Sequence, residues 1–537
     1  PDIPLLDLTG ASPRPVDAVM LGELDAFAAG YAARYGIIGA SWAVVSGGEV
    51  AGVGAYGVRD LGGTLPVTPD TRFMIGSVTK NMTSFMAASI VDDGLASWDT
   101  PLADLIPGFA LADPALAARI TLADSFCACT GIPRDDFPLI LAPTASPADM
   151  LATLAGIDPV SPFGEAFNYS NQLYAAGGFA ATMAAGGALP ALSREYGLAM
   201  QDRVLSPVGM ASSSFRLEDV LASGNYASPH SMNLRGQTVP VSLLSEDHFV
   251  TPIAPAGGLW STAPDMARYL ATQLAGGVAP DGQRVVSEEN LAVTHGQRIN
   301  MDPAFTASVP PLLGNTFGGY ALGWGIGTWN GLPLLSHSGG TLGFNAEVAM
   351  LPGAGAAIVI LTNGGPNAVT FNQALQFRFL ELLYGVDSSG PLFDATVSLS
   401  AAGIEAFAAS IADAPPADPA ALAPFAGAWT NPDIGTLRIS IQNGAAFAFV
   451  GGQRSGLLLA PDGLVPASPD ATPAADGADG ADGADGASAG TRYLFLDSAL
   501  ASPNAILTLS ESPDGPRAIL DLAGERQQRY EFARAGE

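Results

Sequence analysis

The stretch GSVTKNM at residues 76–82 places the only lysine of a 537-residue chain three residues after a serine. Residues three apart on a helix lie on one face, so this spacing would put the hydroxyl beside the amine. Arginine can replace lysine on solvated surfaces, but it cannot supply a neutral amine because the guanidinium stays charged in proteins. The sole lysine therefore indicates a chemical role for Lys80, against the alternative of an accidental surface lysine.

The residues around Lys80 predict a helix that is buried on one side. Met82, Phe85 and Ile90 recur at helical spacing after the lysine. Ser77 would then lie at the helix N-terminus, where free N–H groups and the helix dipole stabilise a developing oxyanion. A buried, neutral amine one turn later could accept the serine proton. The pattern predicts a nucleophilic serine; the alternative is a capping serine followed by an exposed lysine.

A second motif lies about ninety residues later, in the turn-like stretch PFGEAFNYSN at 162–171. It contains Tyr169 and Asn171, a phenol and an amide that could point into one cleft. The phenol could carry a proton, and the amide could hold a lysine or a substrate carbonyl. Taken alone, the motif is explained more simply by a packed tyrosine and a turn asparagine.

A third motif, LSHSGG at 335–340, ends a strand in the part of the chain that precedes residue 390. Its two glycines permit close approach of a substrate to the strand edge. The backbone N–H of Gly340 could there complete an oxyanion hole with that of Ser77. By itself His337 would be interpreted as a structural turn histidine.

Together, the motifs S-x-x-K, Y-x-N and H-x-G, in this order, resemble those of the serine β-lactamase and penicillin-binding-protein superfamily. The class C-like branch, with its S12-type peptidases, D-aminopeptidases and esterases, is the most similar. PAGGLWST at 255–262 resembles the glycine turn of that branch, and GGTLGF at 339–344 resembles one of its β-segments. The resemblance covers about residues 20–390.

The resemblance implies a role for each matching residue. Ser77 would be the acylated nucleophile, and Lys80 and Tyr169 would share its proton and pass it to the leaving group. Asn171 would orient Lys80 and the substrate carbonyl. The N–H groups of Ser77 and Gly340 would form the oxyanion hole. Whether Lys80 or Tyr169 acts as the base stays open.

Two departures from the family pattern bear on substrate choice. His337 replaces the lysine of the usual Lys-Thr/Ser-Gly triad, and an unperturbed histidine is mostly neutral at pH 7. Penicillin-recognising enzymes use the permanent lysine charge to bind a carboxylate, so the histidine favours an esterase or peptidase over a β-lactamase. The stretch ACTG at 128–131 replaces the usual His-Thr-Ser-Gly and leaves the cleft floor open to variation.

The wider pattern predicts an α+β fold followed by a small antiparallel β-barrel. A helix is predicted over 18–35, a hairpin over 41–58, strands across 334–363 and a closing helix over 371–384. These boundaries correspond to a β-lactamase/transpeptidase-like domain over 1–392. An Ala/Pro-rich linker is predicted at 393–420, and short, evenly spaced strands predict a barrel over 421–537, which resembles the lipocalin-like appendages of some related peptidases.

Composition excludes several classes of function. The chain carries 51 acidic and 22 basic residues, a formal charge of −29, which disfavours nucleic-acid and anionic-membrane binding. We find no credible transmembrane segment. The histidines are scattered and Cys127 and Cys129 form no zinc motif, so no metal or cofactor is expected. We expect both cysteines to be free, because cysteines two apart rarely meet disulfide geometry.

The sequence therefore predicts a serine hydrolase that works through an acyl-enzyme on a small peptide with D- or non-proteinogenic residues, such as linear fragments of cyclic microbial peptides or toxins. A carboxylesterase for short acyl or secondary-metabolite esters is the alternative within the same fold. A β-lactamase, a non-catalytic binding protein and a pyridoxal-dependent lysine enzyme are weaker alternatives. The oligomeric state stays open. For the location, a periplasmic or secreted protein is preferred.

Overall fold

The computed structural model of this protein describes residues 6–301, 315–387, 389–461, 490–497, 501, 505–513, 515–523 and 527–535. Their contacts divide the chain into two compact units, each assembled from separate segments. The first unit comprises Pro1–Arg134, Ala145–His230 and Ser242–Leu399, and the second comprises Asp135–Thr144, Ser231–Val241 and Ser400–Glu537.

The first unit contains an antiparallel sheet that joins the two ends of its sequence. The described strands up to residue 362 are β1 (Gly39–Ser46), β2 (Glu49–Gly57), β3 (Phe73–Met74), β4 (His230–Met232), β5 (Thr238–Pro240), β6 (Trp260–Ser261), β7 (Ile299–Asn300), β8 (Asn315–Tyr320), β9 (Gly325–Trp329), β10 (Leu332–Gly340), β11 (Asn345–Leu351) and β12 (Ala356–Thr362). Of these, β5 and most of β4 lie in the Ser231–Val241 segment of the second unit. In the described residues the sheet has eight strands, in the order β2-β1-β12-β11-β10-β9-β8-β7. The predicted hairpin supplies β1 and β2, and the late strand β12 pairs with β1 from Ala40 opposite Thr362 to Ser46 opposite Ala356.

Helices cover the sheet and carry the candidate site. The helix predicted over 18–35 is observed at Ala18–Tyr35, and the closing helix predicted over 371–384 is observed at Ala368–Tyr384. The helices of the described residues are α1 (Ala18–Tyr35), α2 (Thr79–Asp92), α3 (Leu102–Leu105), α4 (Pro114–Ala117), α5 (Leu122–Phe126), α6 (Phe137–Leu141), α7 (Pro147–Thr153), α8 (Asn171–Ala184), α9 (Leu192–Met200), α10 (Ser206–Val208), α11 (Leu217–Ser223), α12 (Leu243–Val250), α13 (Ala254–Gly257), α14 (Ala263–Leu274), α15 (Glu288–His295), α16 (Ala368–Tyr384), α17 (Gly390–Ser410) and α18 (Pro419–Leu422). Of these, α6 and α18 belong to the second unit, and α17 contains the boundary between the units.

The main core of the first unit lies between the sheet and the pair α1 and α16. Leu24 from α1 and Leu380 from α16 pack with Trp42 and Ile360 of the sheet, and all four are buried. The indole N–H of Trp42 donates to Asp25 Oδ1 at 2.9 Å, so the large ring is buried without an unsatisfied donor. This core holds the late strands, including β10, in a fixed register.

The second unit contains a closed, eight-stranded antiparallel barrel, as the sequence predicts. Asn443 and Gly444 both have positive φ between β14 (Gly435–Gln442) and β15 (Ala445–Val450), as a type I′ hairpin turn requires. The barrel interior is apolar and includes Trp429, Leu437 and Leu520. The Ala-Asp-Gly repeat at 475–484 lies outside the described residues. The strands are β13 (Gly427–Asn431), β14 (Gly435–Gln442), β15 (Ala445–Val450), β16 (Gln453–Leu459), β17 (Thr491–Phe495), β18 (Ala505–Ser512), β19 (Gly515–Ala523) and β20 (Gln527–Arg534).

The range 393–420 differs from the linker that its composition predicts, because α17 occupies it as far as Ser410. The sequence of this helix is rich in alanine and contains proline only near its start, where proline is compatible with a helix. The boundary between the two units falls after Leu399, inside the predicted range. Over an 18-residue window α17 has a mean hydropathy of 1.3 with 11% buried, so it has the length and composition of a membrane span. A single helix of this kind is weak evidence for a membrane span, and the absence of a transmembrane segment stays a prediction.

Cys127 and Cys129 form a disulfide, so the prediction that both are free is wrong. The residue between them, Ala128, has a left-handed backbone with φ +53°. This conformation turns the chain back on itself and brings the two Cα atoms to 5.1 Å, within the range that a disulfide spans. The spacing rule failed because it assumed an ordinary backbone at the intervening residue.

Candidate active site

The turn that carries Ser77 depends on a glycine. Gly76 has φ +52°, and a Cβ at this position would lie 2.7 Å from the Gly340 nitrogen. Only glycine therefore lets the chain pass so close to the end of β10. A single 3₁₀ turn, Gly76–Val78, then leads into α2. Ser77 is half-buried between buried neighbours, so its hydroxyl lies at a surface that a substrate can reach.

Lys80 is fully buried on the first turn of α2. Its Nζ donates to Ser77 Oγ at 3.2 Å, to Asn171 Oδ1 at 2.6 Å and to the Ala256 carbonyl oxygen at 2.7 Å. Burying a lysine costs several kcal/mol unless hydrogen bonds compensate, and these acceptors provide such compensation. The predicted placement of the amine beside the serine hydroxyl is what the structure shows.

The Tyr-x-Asn motif lies at the start of α8. Ser170 caps this helix by accepting from the Leu173 N–H, which places Asn171 in the first turn facing Lys80. The ring of Tyr169, just before the cap, lies 4.7 Å from Lys80 Nζ at its centroid, a cation–π distance. The phenol and the amide of this motif therefore share one cleft with the lysine.

His337 lies on β10, buried at the back of the cleft. Its Nδ1 is 2.6 Å from the Ser338 carbonyl oxygen and its Nε2 is 2.9 Å from Tyr320 Oη. A carbonyl oxygen can only accept, so Nδ1 carries the hydrogen and Nε2 accepts from the Tyr320 hydroxyl. Burial, together with the nearby Lys80 charge, lowers the pKa of His337 to about 4. The imidazole is therefore neutral at pH 7.

The end of β10 at Gly340 lies against the turn that carries Ser77. Strand β10 ends here, opposite Asn345 of β11. A Cβ on the preceding Gly339 would lie 2.0 Å from the Ile75 carbonyl oxygen and 3.2 Å from the Ser77 nitrogen. The N-terminal turn of α2 and the end of β10 are therefore in backbone contact beside the Ser77 and Gly340 nitrogens.

A family model described as Beta-lactamase matches residues 24–383. This chain belongs to the Beta-lactamase family. The match covers the whole of the sequence that carries the three motifs and ends before the strands of the barrel. Membership in this family of serine hydrolases supports an enzymatic function for the chain.

Three known proteins illustrate the similarity of this Beta-lactamase family member. Penicillin-binding protein 4 of Amycolatopsis lactamdurans is 30% identical over 352 residues, 65% of this chain and 86% of that protein. An unguisins hydrolase of Aspergillus campestris is 28% identical over 363 residues, 65% of this chain but 62% of that protein. The solved structure of an octameric penicillin-binding protein homologue of Pyrococcus abyssi has a TM-score of 0.59 at 19% identity, covers 95% of this chain and shows the shared fold.

Within this Beta-lactamase family site, two contributors were not predicted from the sequence. Tyr320 carries no motif, and its bond to His337 depends on the pairing of β8, β9 and β10. The Ala256 carbonyl accepts from Lys80 within the stretch that resembles the glycine turn of the family, but the resemblance implied no contact with Lys80. Ala128 and Thr130 line the cleft beside Tyr169, in the stretch that the family resemblance places at the cleft floor, but the disulfide that flanks Ala128 was not predicted.

No group of three or more His, Cys, Asp or Glu side chains that could hold a metal occurs in the part of the chain that the structure describes. The cleft floor is formed instead by small side chains, hydroxyl groups and aromatic rings. Its lining residues are Lys80, Ser125, Ala128, Thr130, Asn168, Tyr169, Ser170, Leu173, Tyr174 and Tyr320.

Proposed function

We propose that this protein is a serine hydrolase that cleaves an amide bond in small peptides through an acyl-enzyme at Ser77. The observation that carries the proposal is the buried Lys80, whose Nζ lies 3.2 Å from Ser77 Oγ and 2.6 Å from Asn171 Oδ1. A buried amine held beside a half-exposed hydroxyl is the arrangement that activates a serine nucleophile.

In the acylation step, Ser77 Oγ attacks the substrate carbonyl carbon while its proton passes to the deprotonated member of the pair, either the neutral Lys80 amine or the Tyr169 phenolate. The negative charge that develops on the carbonyl oxygen is stabilised by the N–H groups of Ser77 and Gly340. Collapse of the tetrahedral intermediate breaks the C–N bond, and the amine leaves with the proton held by the lysine–tyrosine pair. An ester bond to Ser77 remains.

Deacylation reverses these roles with water as the nucleophile. Lys80 or Tyr169 accepts a proton from the water as its oxygen attacks the acyl-enzyme carbonyl, and the same two N–H groups bind the oxyanion. The proton returns to Ser77 Oγ as the ester bond breaks, which releases a carboxylic acid. No residue outside the cleft is needed for either step.

The neutral His337 supports a peptide substrate over a β-lactam. A lysine at this position would offer a permanent positive charge to a substrate carboxylate, whereas a histidine whose pKa is about 4 offers none at pH 7. One relative is named a hydrolase of unguisins, which supports a peptide-like substrate here. We therefore propose peptides with D- or non-proteinogenic residues as the substrate class.

The experiment that tests this proposal is turnover of matched substrates by the full chain. The panel contains a D-amino-acid peptide series, p-nitrophenyl esters and a β-lactam, each assayed with the wild type and with Ser77→Ala. The proposal predicts peptide turnover that disappears in Ser77→Ala, with little turnover of the β-lactam. Full peptide turnover by Ser77→Ala would refute it.

A carboxylesterase is the second candidate, because the same acylation chemistry serves esters. The absence of a fixed charge at His337 supports this candidate equally. The two functions separate on the ratio of kcat/KM for an amide and an ester with the same acyl group. A ratio that favours the ester beyond its greater intrinsic reactivity would assign the protein as an esterase.

A further inference from the structure

A fully buried carboxylate lies behind the end of β10, outside the groups described so far. Glu246 on α12 is 0% exposed. Its Oε1 accepts from the Thr341 hydroxyl at 3.0 Å, and its Oε2 accepts from the Leu342 N–H at 3.1 Å. The backbone of Gly343 also bonds to this carboxyl. Three consecutive residues after Gly340 thus bond to one side chain.

The turn that Glu246 holds is closed on itself. The Thr341 N–H donates to the Phe344 carbonyl at 3.0 Å, and the Phe344 N–H donates to Thr341 Oγ1 at 3.1 Å. The Thr341 hydroxyl thus accepts from the Phe344 N–H and donates its own hydrogen to Glu246 Oε1. On the far side, the Gly343 carbonyl accepts from the His230 N–H at 3.1 Å. The turn is fixed from two sides.

The position of Gly340 follows from this turn, because Gly340 directly precedes it. The Gly340 backbone packs against Gly76 so closely that a Cβ on Gly76 would lie 2.7 Å from the Gly340 nitrogen. Any shift of the turn would move the Gly340 N–H relative to the Ser77 N–H. A misplacement of about 1 Å in such a site can reduce rates about 100-fold.

We propose that Glu246 is a positioning residue that holds the Gly340 N–H in the geometry the oxyanion needs. The inference rests on the proposed function, in which Gly340 and Ser77 bind the oxyanion. A carboxylate suits this role because each of its two oxygens can accept a hydrogen bond from a different donor. Burial makes each of these bonds costly to leave unmade.

The test is Glu246→Gln in the full chain, which keeps the size of the side chain but replaces one acceptor oxygen with a donor NH₂. That donor would face either the Thr341 hydroxyl or the Leu342 N–H. Glu381→Gln is the matched control, because Glu381 is a buried carboxyl of the same unit that accepts from the Ser389 N–H at 2.7 Å. It lies on α16, away from the cleft residues named above.

The measured quantities are kcat and KM for a p-nitrophenyl ester, the rate of fluorophosphonate labelling at Ser77, and the melting temperature. For Glu246→Gln we expect kcat and the labelling rate to fall about 10- to 100-fold with KM changed less than about threefold. Glu381→Gln should keep kcat per folded molecule. Thr341→Val loses one hydrogen bond to Glu246, so its kcat and its labelling rate should lie between those of the wild type and those of Glu246→Gln. If Glu246→Gln does not fold, Thr341→Val is the variant that tests the proposal.

The outcomes separate this inference from the proposed function. Labelling of wild type at Ser77 with an unchanged kcat and labelling rate in folded Glu246→Gln would overturn the positioning role alone. If kcat and the labelling rate fall equally in Glu246→Gln and Glu381→Gln, in proportion to the folded fraction, then Glu246 has a structural role only. That result would also overturn the positioning role. No labelling of wild type at Ser77 would overturn the proposed function and this inference with it.

Discussion

Replacing Lys80 with methionine should separate catalysis from stability. The substitution keeps an unbranched side chain of similar length but removes the amine that contacts Ser77 Oγ, Asn171 Oδ1 and the Ala256 carbonyl. General-base catalysis is worth about 10²- to 10⁴-fold in rate. We therefore expect the rate of Ser77 acylation to fall by at least about 100-fold.

The stability of Lys80→Met follows from opposing contributions. Two buried acceptors, Asn171 Oδ1 and the Ala256 carbonyl, lose a partner, at about 1–3 kcal/mol each. The desolvation of a fully buried ammonium is removed at the same time, a gain of several kcal/mol. Because these contributions are similar in size and opposite in sign, we expect the free energy of unfolding to change by less than about 2 kcal/mol.

The assay pairs stopped-flow acylation by a p-nitrophenyl ester with urea unfolding of wild type, Lys80→Met and Tyr169→Phe. Tyr169→Phe keeps the ring beside Lys80 and removes only the hydroxyl, so it reports the contribution of the phenol. A folded Lys80→Met that retains more than a tenth of the wild-type acylation rate would refute the reasoning. It would leave Ser77 to be activated by some other group.

Three further outcomes follow from the structure. Because burial lowers the pKa of His337 to about 4, the unfolded chain binds more protons than the folded one between pH 6.5 and 4. Between pH 7 and 4.5, the free energy of unfolding measured in urea should decrease by about 2–3 kcal/mol more for the wild type than for His337→Gln. Equal decreases for the two proteins would contradict this. Gly76→Ala should lower kcat more than about 100-fold, since its Cβ would lie 2.7 Å from the Gly340 nitrogen; a steady-state assay with near-normal kcat would contradict the close packing. Ala128→Gly should raise the melting temperature in thermal denaturation, or leave it unchanged, because Ala128 has φ +53°; a clear decrease would contradict that backbone conformation.

The parts of the fold that were predicted correctly depend on local pattern. The helix at Ala18–Tyr35 and the strands β1 and β2 follow from apolar periodicity and from the turn residues between the strands. The contact of Ser77 with Lys80 follows from a spacing of three residues across the 3₁₀ turn and the first turn of α2. Such features need no knowledge of distant residues, and a single sequence therefore contains them.

The parts that were missed depend on backbone or tertiary context. The disulfide requires a left-handed Ala128, a conformation that alanine rarely adopts and that no residue type signals. Tyr320 reaches His337 only after the strands are in register. Glu246 lies 95 residues before the Thr341 hydroxyl that it binds, so no local pattern links them. In α17 the alanine content suits a helix as well as a linker.

The central claim is that Ser77 is the nucleophile, and intact-protein mass spectrometry after fluorophosphonate treatment tests it most directly. We predict one adduct per chain on wild type, located at Ser77 by peptide mapping, and no adduct on Ser77→Ala. An adduct that persists on Ser77→Ala, or wild-type protein that hydrolyses its substrate while remaining unlabelled, would contradict the claim.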